Sequence, residues 1–361
     1  MESLELAETL AEIPSHDDEA AVGDYIERWL RDRTGATVTR DDAGNVVARR
    51  GPESGSTVAL VGHHDVVPPG DGQTAADGSY VVERRDGRLY GRGTADMKGS
   101  LAAAMVAFRD ADPSCELAVA SFVGEEDGGV GCRAAIENGF APEFAVVGEG
   151  STGYSATGVT DVAIAHRGRR GATLVATGEA AHASEADAAT NAIYRATDAV
   201  AVVRELDAPE TRVFGERLAG SVTVTEIDGG EAWNVVPDRC TVTVDERTVP
   251  GERAALETAA VEGVTLDIEQ DLPPMACSDD GFAETVLSAA NAAQPGDAEA
   301  VTKPHATDAG WLASRAGTAC VVCGAAEPGE AHTDTESVST AAVERCADIY
   351  RRVAEAVDAE V

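Results

Sequence analysis

The chain has 361 residues, of which 43% are hydrophobic, and it carries 64 acidic against 28 basic residues, for a formal net charge of −36. This length can bury a sizeable core over roughly two domains, and the charge argues against binding nucleic acid or anionic membranes. The acidic first residues do not match a signal peptide and no apolar run is long enough to span a bilayer, so we expect a cytoplasmic protein without membrane contact.

The first part of the chain alternates between predicted strands and helices. Two helical patterns lie within residues 3–33, and a third covers residues 101–108. Predicted strands fall at 46–48, 117–123 and 144–147, and the stretch 57–68 begins as an apolar strand that breaks at Gly62. This alternation is typical of an α/β domain, here with a mixed, largely parallel sheet flanked by helices.

The pattern changes between residues 165 and 272. Strands are predicted at 172–176, 221–225, 240–244 and 264–268, with helices at 188–206 and 251–260. The order β-α-β-β-α-β predicts a ferredoxin-like α+β domain. The first style then returns, with helices at 280–293, 307–316 and 337–358 and a strand at 318–323. We therefore expect a discontinuous domain, residues 1–164 and 273–361, with a second domain inserted at 165–272.

Polar residues follow the predicted strands of the first style. They are His63 and Asp65, then Glu125 and Glu126, then Glu149, and finally His332, while Asp96 opens a helix. If the strands are parallel, all of these project over one edge of one sheet, where open α/β sheets bind ligands. Taken singly, each has a simpler interpretation as a helix cap, a turn or a solvated loop residue.

Together these side chains suit a metal centre. Oxygen and imidazole donors without thiolates favour zinc, manganese or cobalt. Two histidines and three carboxylates suffice for two ions if one carboxylate bridges them, and hydrolytic two-metal sites hold their ions about 3.5–4 Å apart. Adjacent Glu125 and Glu126 could divide the tasks of base and ligand.

The seven cysteines give no disulfide framework, because their number is odd and their spacing scattered. Cys320 and Cys323 form a C-x-x-C, which raises the alternative of a redox protein. They lie in a predicted strand, where residues three apart point to opposite faces. This geometry disfavours a metal or redox pair.

Several motifs occur in order along the chain: GHHDVVP at residues 62–68, GRGTADMKG at 91–99, Glu125-Glu126, Gly148-Glu149 and Ala331-His332-Thr333. They resemble the family of dinuclear zinc hydrolases that includes aminoacylase, acetylornithine deacetylase, succinyl-diaminopimelate desuccinylase and glutamate carboxypeptidase. The resemblance covers nearly the whole chain. It implies a zinc-peptidase-like catalytic domain and an inserted lid and dimerisation domain, hence a homodimer.

The resemblance also implies roles for individual residues. Two Zn²⁺ per subunit, replaceable by Co²⁺ or Mn²⁺, would be held by His63 and Glu149, by Glu126 and His332, and by Asp96 as the bridge; the peptide bond Asp96–Met97 would be cis. Asp65 would orient His63, and Glu125 would be the general base. His182 would polarise the scissile carbonyl from the partner subunit, and Arg167, Asn234 and Arg247 would bind substrate. Whether His63 or its neighbour His64 is the ligand stays open.

The implied reaction is hydrolysis of the amide bond of a small N-acyl amino acid. The first candidate substrate is N-succinyl-diaminopimelate, a lysine-biosynthesis substrate, and the second is N-acetylornithine. A dipeptidase, a carboxypeptidase or a general aminoacylase is the enzymatic alternative, and an amino-acid-binding relative without catalysis is the alternative from another class. The dispersed acidic residues resemble the composition of proteins from halophilic archaea, which function in concentrated salt.

Overall fold

The computed structural model describes residues 2–52 and 55–357. The chain divides into two compact units. The first comprises Met1–Ala165, Met275–Lys303 and Thr307–Val361, and the second comprises His166–Pro274 with Pro304–Ala306. The proposed role of the second unit as a lid and dimerisation domain stays a prediction.

The helices of the first unit bury apolar residues, and one of them, Gly99–Asp110, is buried at every position from Gly99 to Phe108. They are Glu2–Glu12, Ala20–Thr34, Gly99–Asp110, Val130–Glu137, Asp280–Ala292, Asp308–Trp311 and Thr340–Ala356. In the last of these, Val343, Cys346, Ile349, Tyr350 and Val353 are all buried. They recur at the three- and four-residue spacing that places them on one helix face.

The first unit is built on a nine-stranded sheet. Its strands are Thr37–Arg40, Val46–Arg50, Thr57–His63, Glu116–Phe122, Phe144–Val147, Val162–His166, Met275–Ala276, Ala300–Lys303 and Ala319–Val322. Thr57–His63 pairs in parallel with Glu116–Phe122 and with Phe144–Val147, which pairs in parallel with Ala319–Val322. Every residue from Val58 to His63 is buried, as expected for a parallel strand covered on both faces.

A small three-stranded sheet corrects the prediction of a helix over 337–358. Ser337–Ser339 is a strand that pairs with Arg88–Tyr90, which in turn pairs with Glu83–Arg85. The helix begins only at Thr340, because Ser339 caps it by accepting a hydrogen bond from the Ala342 N–H. The predicted last residue of this helix, 358, lies outside the described residues.

The second unit has an antiparallel sheet with the strand order Ser221–Gly229, Arg239–Thr248, Gly168–Thr177 and Val264–Leu272. In the sequence, the helix Ala192–Arg204 lies between the strands Gly168–Thr177 and Ser221–Gly229. Its buried residues share one apolar cluster with the sheet. Two short hairpins are added, Glu210–Val213 with Glu216–Ala219 and Ala181–His182 with Val235–Val236. Strand order and pairing are those of the ferredoxin-like arrangement.

The predicted helix over 251–260 is wrong. Only Leu256–Ala259 form a 3₁₀ turn. The main chain at Ala254 is instead held by a buried ion pair: its N–H donates to Glu246 (3.1 Å) and its carbonyl accepts from Arg170 (3.0 Å). These bonds replace those of the first helical turn. The neighbouring prediction of a helix from 188 also starts too early, because Asn191 caps a helix that begins at Ala192.

Within residues 2–52 and 55–357, none of the helices combines the length and the apolar character that crossing a bilayer requires.

Candidate metal centre

Four parallel strands deliver the predicted site residues to one edge of the large sheet. His63 is the last residue of Thr57–His63, and Glu125 with Glu126 follows Glu116–Phe122. Glu149 follows Phe144–Val147, and the loop after Ala319–Val322 carries His332. The parallel pairing that the sequence analysis required is present.

The side chains form two groups that share Asp96. In the first, Nε2 of His63 lies 3.0 Å from Oδ1 of Asp96 and 3.2 Å from Oε1 of Glu149. In the second, Nε2 of His332 lies 3.1 Å from Oδ2 of Asp96 and 2.8 Å from Oε1 of Glu126. Asp96 therefore turns one carboxylate oxygen toward each group, which is the arrangement of a bridging ligand.

The carboxylates control the protonation of both imidazoles. Burial acts to lower the pKa of His63, but Asp65, Asp96 and Glu149 outweigh it and hold that pKa well above its usual value. Hydrogen bonds to Asp96 and Glu126 raise the pKa of His332 to about 10. The centre is thus a strongly negative environment in which a positive charge is favoured.

Two of these side chains lie at uncommon main-chain conformations. The Asp96–Met97 peptide bond is cis, as predicted. His332 has φ 62, in the left-handed region that few residues other than glycine adopt. The left-handed conformation of His332 fits a site that fixes the direction of this side chain.

Glu336 binds the main chain at Asp96 and pairs with Arg92. The sequence analysis selected neither residue. Oε1 of Glu336 accepts the N–H groups of Ala95 (3.0 Å) and Asp96 (3.2 Å), and Oε2 lies 2.5 Å from Nη1 of Arg92. Both charged side chains are buried. Arg92 belongs to the GRGTADMKG motif, but its partner lies far along the chain, so no local pattern could have identified it.

Asp65 lies beside His63, as predicted. Nδ1 of His63 faces the Asp65 carbonyl at 3.1 Å and the Asp65 carboxylate at 3.3 Å. The other carboxylate oxygen accepts the Glu126 N–H at 3.0 Å. One aspartate thus contacts a residue of each group, and its acceptors favour a proton on Nδ1, which leaves Nε2 free to face the centre.

His64 turns away from the centre. Its ring is fully buried, and Nδ1 lies 2.7 Å from the Ser121 hydroxyl. Burial lowers its pKa to about 3. Of the two neighbouring histidines, only His63 joins a donor group.

Glu125 belongs to neither donor group. Its pKa is raised well above the usual value, first by burial and further by Asp308, Glu149 and Asp96, while His63 opposes the shift. The general-base role of Glu125 stays a prediction.

Lys303 and Asp308 are further buried charges that the sequence analysis did not select. Nζ of Lys303 lies 3.3 Å from Oε2 of Glu149. Burial raises the pKa of Asp308 to about 7. A signal for the lysine existed, since the chain contains only two lysines, Lys98 and Lys303, and both are buried.

The second unit holds the remaining predicted residues. His182 is exposed; Nδ1 lies 2.7 Å from the Ser184 hydroxyl, and Nε2 lies 3.5 Å from Nδ2 of Asn234. Arg247 pairs with Asp245 at 2.7 Å. Nε of Arg167 is buried and has no hydrogen-bond partner within the described ranges. The fold brings His182 and Asn234 together through the paired strands Ala181–His182 and Val235–Val236.

Of the C-x-x-C pair, Cys320 lies in the strand Ala319–Val322 and Cys323 follows directly after it. Both thiols are buried and free, and burial raises the pKa of each well above its usual value. A redox or metal-binding thiol needs the opposite shift.

The donor set fits two divalent ions. Each group offers one imidazole nitrogen and carboxylate oxygens, all within 4.8 Å of one another. Nitrogen and oxygen donors of this kind suit zinc, cobalt or manganese. The surplus of carboxylates over cationic side chains supplies the charge that such ions would neutralise.

Comparisons with known proteins find similar sequences and structures over most of the chain. A family model described as peptidase family M20/M25/M40 matches residues 59–356. A Pyrobaculum aerophilum protein named as a LysW-lysine/LysW-ornithine hydrolase is 33% identical over 73% of this chain and 67% of its own length. A Granulibacter bethesdensis succinyl-diaminopimelate desuccinylase is 30% identical over 74% of this chain and 72% of its own. The crystal structure of aminopeptidase PepT from Bacillus cereus matches with a TM-score of 0.80 at 21% identity, covering 98% of each chain. This last likeness confirms the predicted fold class.

Proposed function

The chain belongs to peptidase family M20/M25/M40 and is an enzyme that hydrolyses amide bonds; from this premise we propose that it removes the acyl group of an N-acyl amino acid at a centre of two metal ions. The observation that carries the proposal is the position of Asp96, which presents one oxygen to each of two donor groups. The ligands of one ion would be His63 and Glu149, and those of the other Glu126 and His332. Zinc is the expected metal, with cobalt or manganese as substitutes.

When bound, such ions lower the pKa of water and polarise the substrate carbonyl. Glu125 would take the proton from the attacking water and pass it to the leaving amine. Burial raises the pKa of Glu125, which favours proton uptake by this carboxylate. Asp65 would keep His63 in the tautomer that directs Nε2 toward the centre.

Residues of the second unit would bind the substrate. The guanidinium of Arg167, with a buried Nε that lacks a partner in the described part of the chain, suits a substrate carboxylate, and Arg247 would do the same. His182 and Asn234 would supply hydrogen bonds to the reacting carbonyl. His182 would act in the active site of the partner subunit of a homodimer; its exposed ring, with Nδ1 fixed by Ser184, supports this role.

The leading substrate is N-succinyl-diaminopimelate, followed by N-acetylornithine. The Granulibacter relative supports the first by its name. The Pyrobaculum relative favours a second candidate, a LysW-lysine or LysW-ornithine conjugate. The net charge of −36 favours action in concentrated salt, as in the cytoplasm of a halophilic archaeon.

The test is a hydrolysis screen in molar potassium chloride. Purified protein is assayed with succinyl-, acetyl- and peptidyl-amino acids and with a LysW-lysine conjugate, before and after chelation. We expect activity on at least one acylated amino acid, loss of that activity on chelation, and recovery with Zn²⁺, Co²⁺ or Mn²⁺. Full activity in protein shown to be metal-free by elemental analysis would refute the two-metal centre. Hydrolysis of dipeptides alone would refute the substrate class.

A further inference from the structure

Lys303 is a buried lysine placed against one of the proposed metal ligands. Its side chain is 7% exposed, and its Nζ lies 3.3 Å from Oε2 of Glu149. The other oxygen of Glu149, Oε1, lies 3.2 Å from Nε2 of His63. The carboxylate is therefore divided, with one oxygen turned toward the donor group and one toward a fixed positive charge.

The second donor group has no such arrangement. Oε1 of Glu126 lies 2.8 Å from Nε2 of His332. Within residues 2–52 and 55–357, no lysine or arginine forms an ion pair with Glu126. The two groups have the same donor types and share Asp96, and Lys303 is a positive charge placed against the carboxylate of the first group.

We propose that Lys303 is a positioning residue that restricts Glu149 to one-oxygen binding and reduces the negative charge of the His63–Glu149 group. This inference rests on the proposed two-metal function. A lysine ammonium is a compact point charge that competes for one carboxylate oxygen. Its positive charge also opposes a dication bound nearby. The His63–Glu149 group therefore holds its ion with fewer protein donors and more weakly, as expected of a site that keeps a position open.

A purely structural role predicts the opposite result. If Lys303 only holds Glu149 in place, its removal lets the ligand move, and metal affinity falls about 10–100-fold, as is usual when a residue supporting a ligand is lost. If Lys303 withholds one oxygen and opposes the ion, its removal raises the affinity. The direction of the change separates the two roles.

The experiment titrates metal-free protein with Co²⁺ in molar potassium chloride, by calorimetry and by visible absorption. Lys303→Met removes the charge, Lys303→Arg keeps it, and Arg31→Met removes the same charge from an exposed helix pair with Glu27. For Lys303→Met we expect two ions per subunit, about tenfold or tighter binding at one site, and weaker cobalt absorption as Glu149 contributes its second oxygen. Lys303→Arg and Arg31→Met should titrate like the natural protein.

Circular dichroism establishes that each variant is folded. If Lys303→Met does not fold, Lys303→Gln replaces it; this variant keeps a hydrogen-bond donor without the charge and should bind Co²⁺ more tightly with a smaller change in absorption. Unchanged or weaker Co²⁺ binding in the neutral variant overturns the role of Lys303. Failure of the natural protein to bind two Co²⁺ would instead overturn the proposed two-metal function, so the two failures are distinguishable.

Discussion

Glu336→Gln should strongly destabilise the protein. The carboxylate of Glu336 is 1% exposed, accepts two main-chain N–H groups beside and at Asp96, and pairs with buried Arg92. Glutamine keeps the volume and one acceptor oxygen, so the two main-chain bonds can persist. Its amide NH₂ cannot neutralise Arg92, which leaves a buried charge unpaired. Breaking a buried pair in this way costs about 3–5 kcal/mol of unfolding free energy.

Two further variants isolate the cause of this loss. Arg92→Met in the Glu336→Gln background removes the unpaired charge, so it should recover part of the lost stability. Glu116→Gln is the matched control, because Glu116 pairs with Arg49 at 2.7 Å but both side chains are partly exposed. Glu116→Gln should lower the unfolding free energy by no more than about 1 kcal/mol.

The assay is urea unfolding at constant molar potassium chloride, followed by tryptophan fluorescence. Of the three tryptophans, Trp29 and Trp311 are partly buried in the first unit, whereas Trp233 is 99% exposed and changes little on unfolding. The signal therefore reports the unit that contains the pair. If Glu336→Gln loses no more stability than Glu116→Gln, the reasoning from burial is wrong. Metal content offers a second measurement, and it should change little in folded Glu336→Gln because glutamine keeps the acceptor for the Ala95 and Asp96 N–H groups.

Four further predictions follow from the same structure. Glu125→Gln should keep both metal ions and lose about two to four orders of magnitude in turnover, whereas Glu126→Gln should lose metal first; elemental analysis showing the reverse would exchange their roles. His182→Ala and Glu125→Ala should each be nearly inactive but regain activity when their subunits exchange, and verified heterodimers without activity would place His182 outside the partner's site. The melting temperature should rise from dilute buffer to molar potassium chloride, because salt screens a net charge of −36; a flat profile would contradict this. Burial lowers the pKa of Lys98 from 10.5 to about 7, so the unfolded chain binds this proton at pH values where the folded chain has released it. The unfolding free energy of metal-free protein should therefore rise between pH 7 and 10 by an amount that Lys98→Met abolishes.

The sequence by itself determined the parts of the protein that depend on neighbouring residues. Apolar runs indicated the strand that breaks near His63 and the strands that end near Glu125 and Glu149. A fully apolar strand followed by a polar residue has few alternatives to a buried parallel strand that emerges at a site. The family resemblance of the motif around Asp96 also implied the cis peptide bond that the structure shows.

Tertiary structure alone decided the features that join distant parts of the chain. The ring of His63, and not that of His64, faces the centre, because Ser121 and burial hold the second ring elsewhere. The predicted helix over 251–260 is absent since a buried Arg170–Glu246 pair binds the main chain of Ala254.

The charged side chains that support the site also join distant parts of the chain. Lys303 pairs with Glu149 and Glu336 with Arg92, across 154 and 244 residues of sequence respectively. Local propensity and periodicity report only on residues within a few positions of one another. Where a buried charge finds its partner is set by which segments the completed fold brings together.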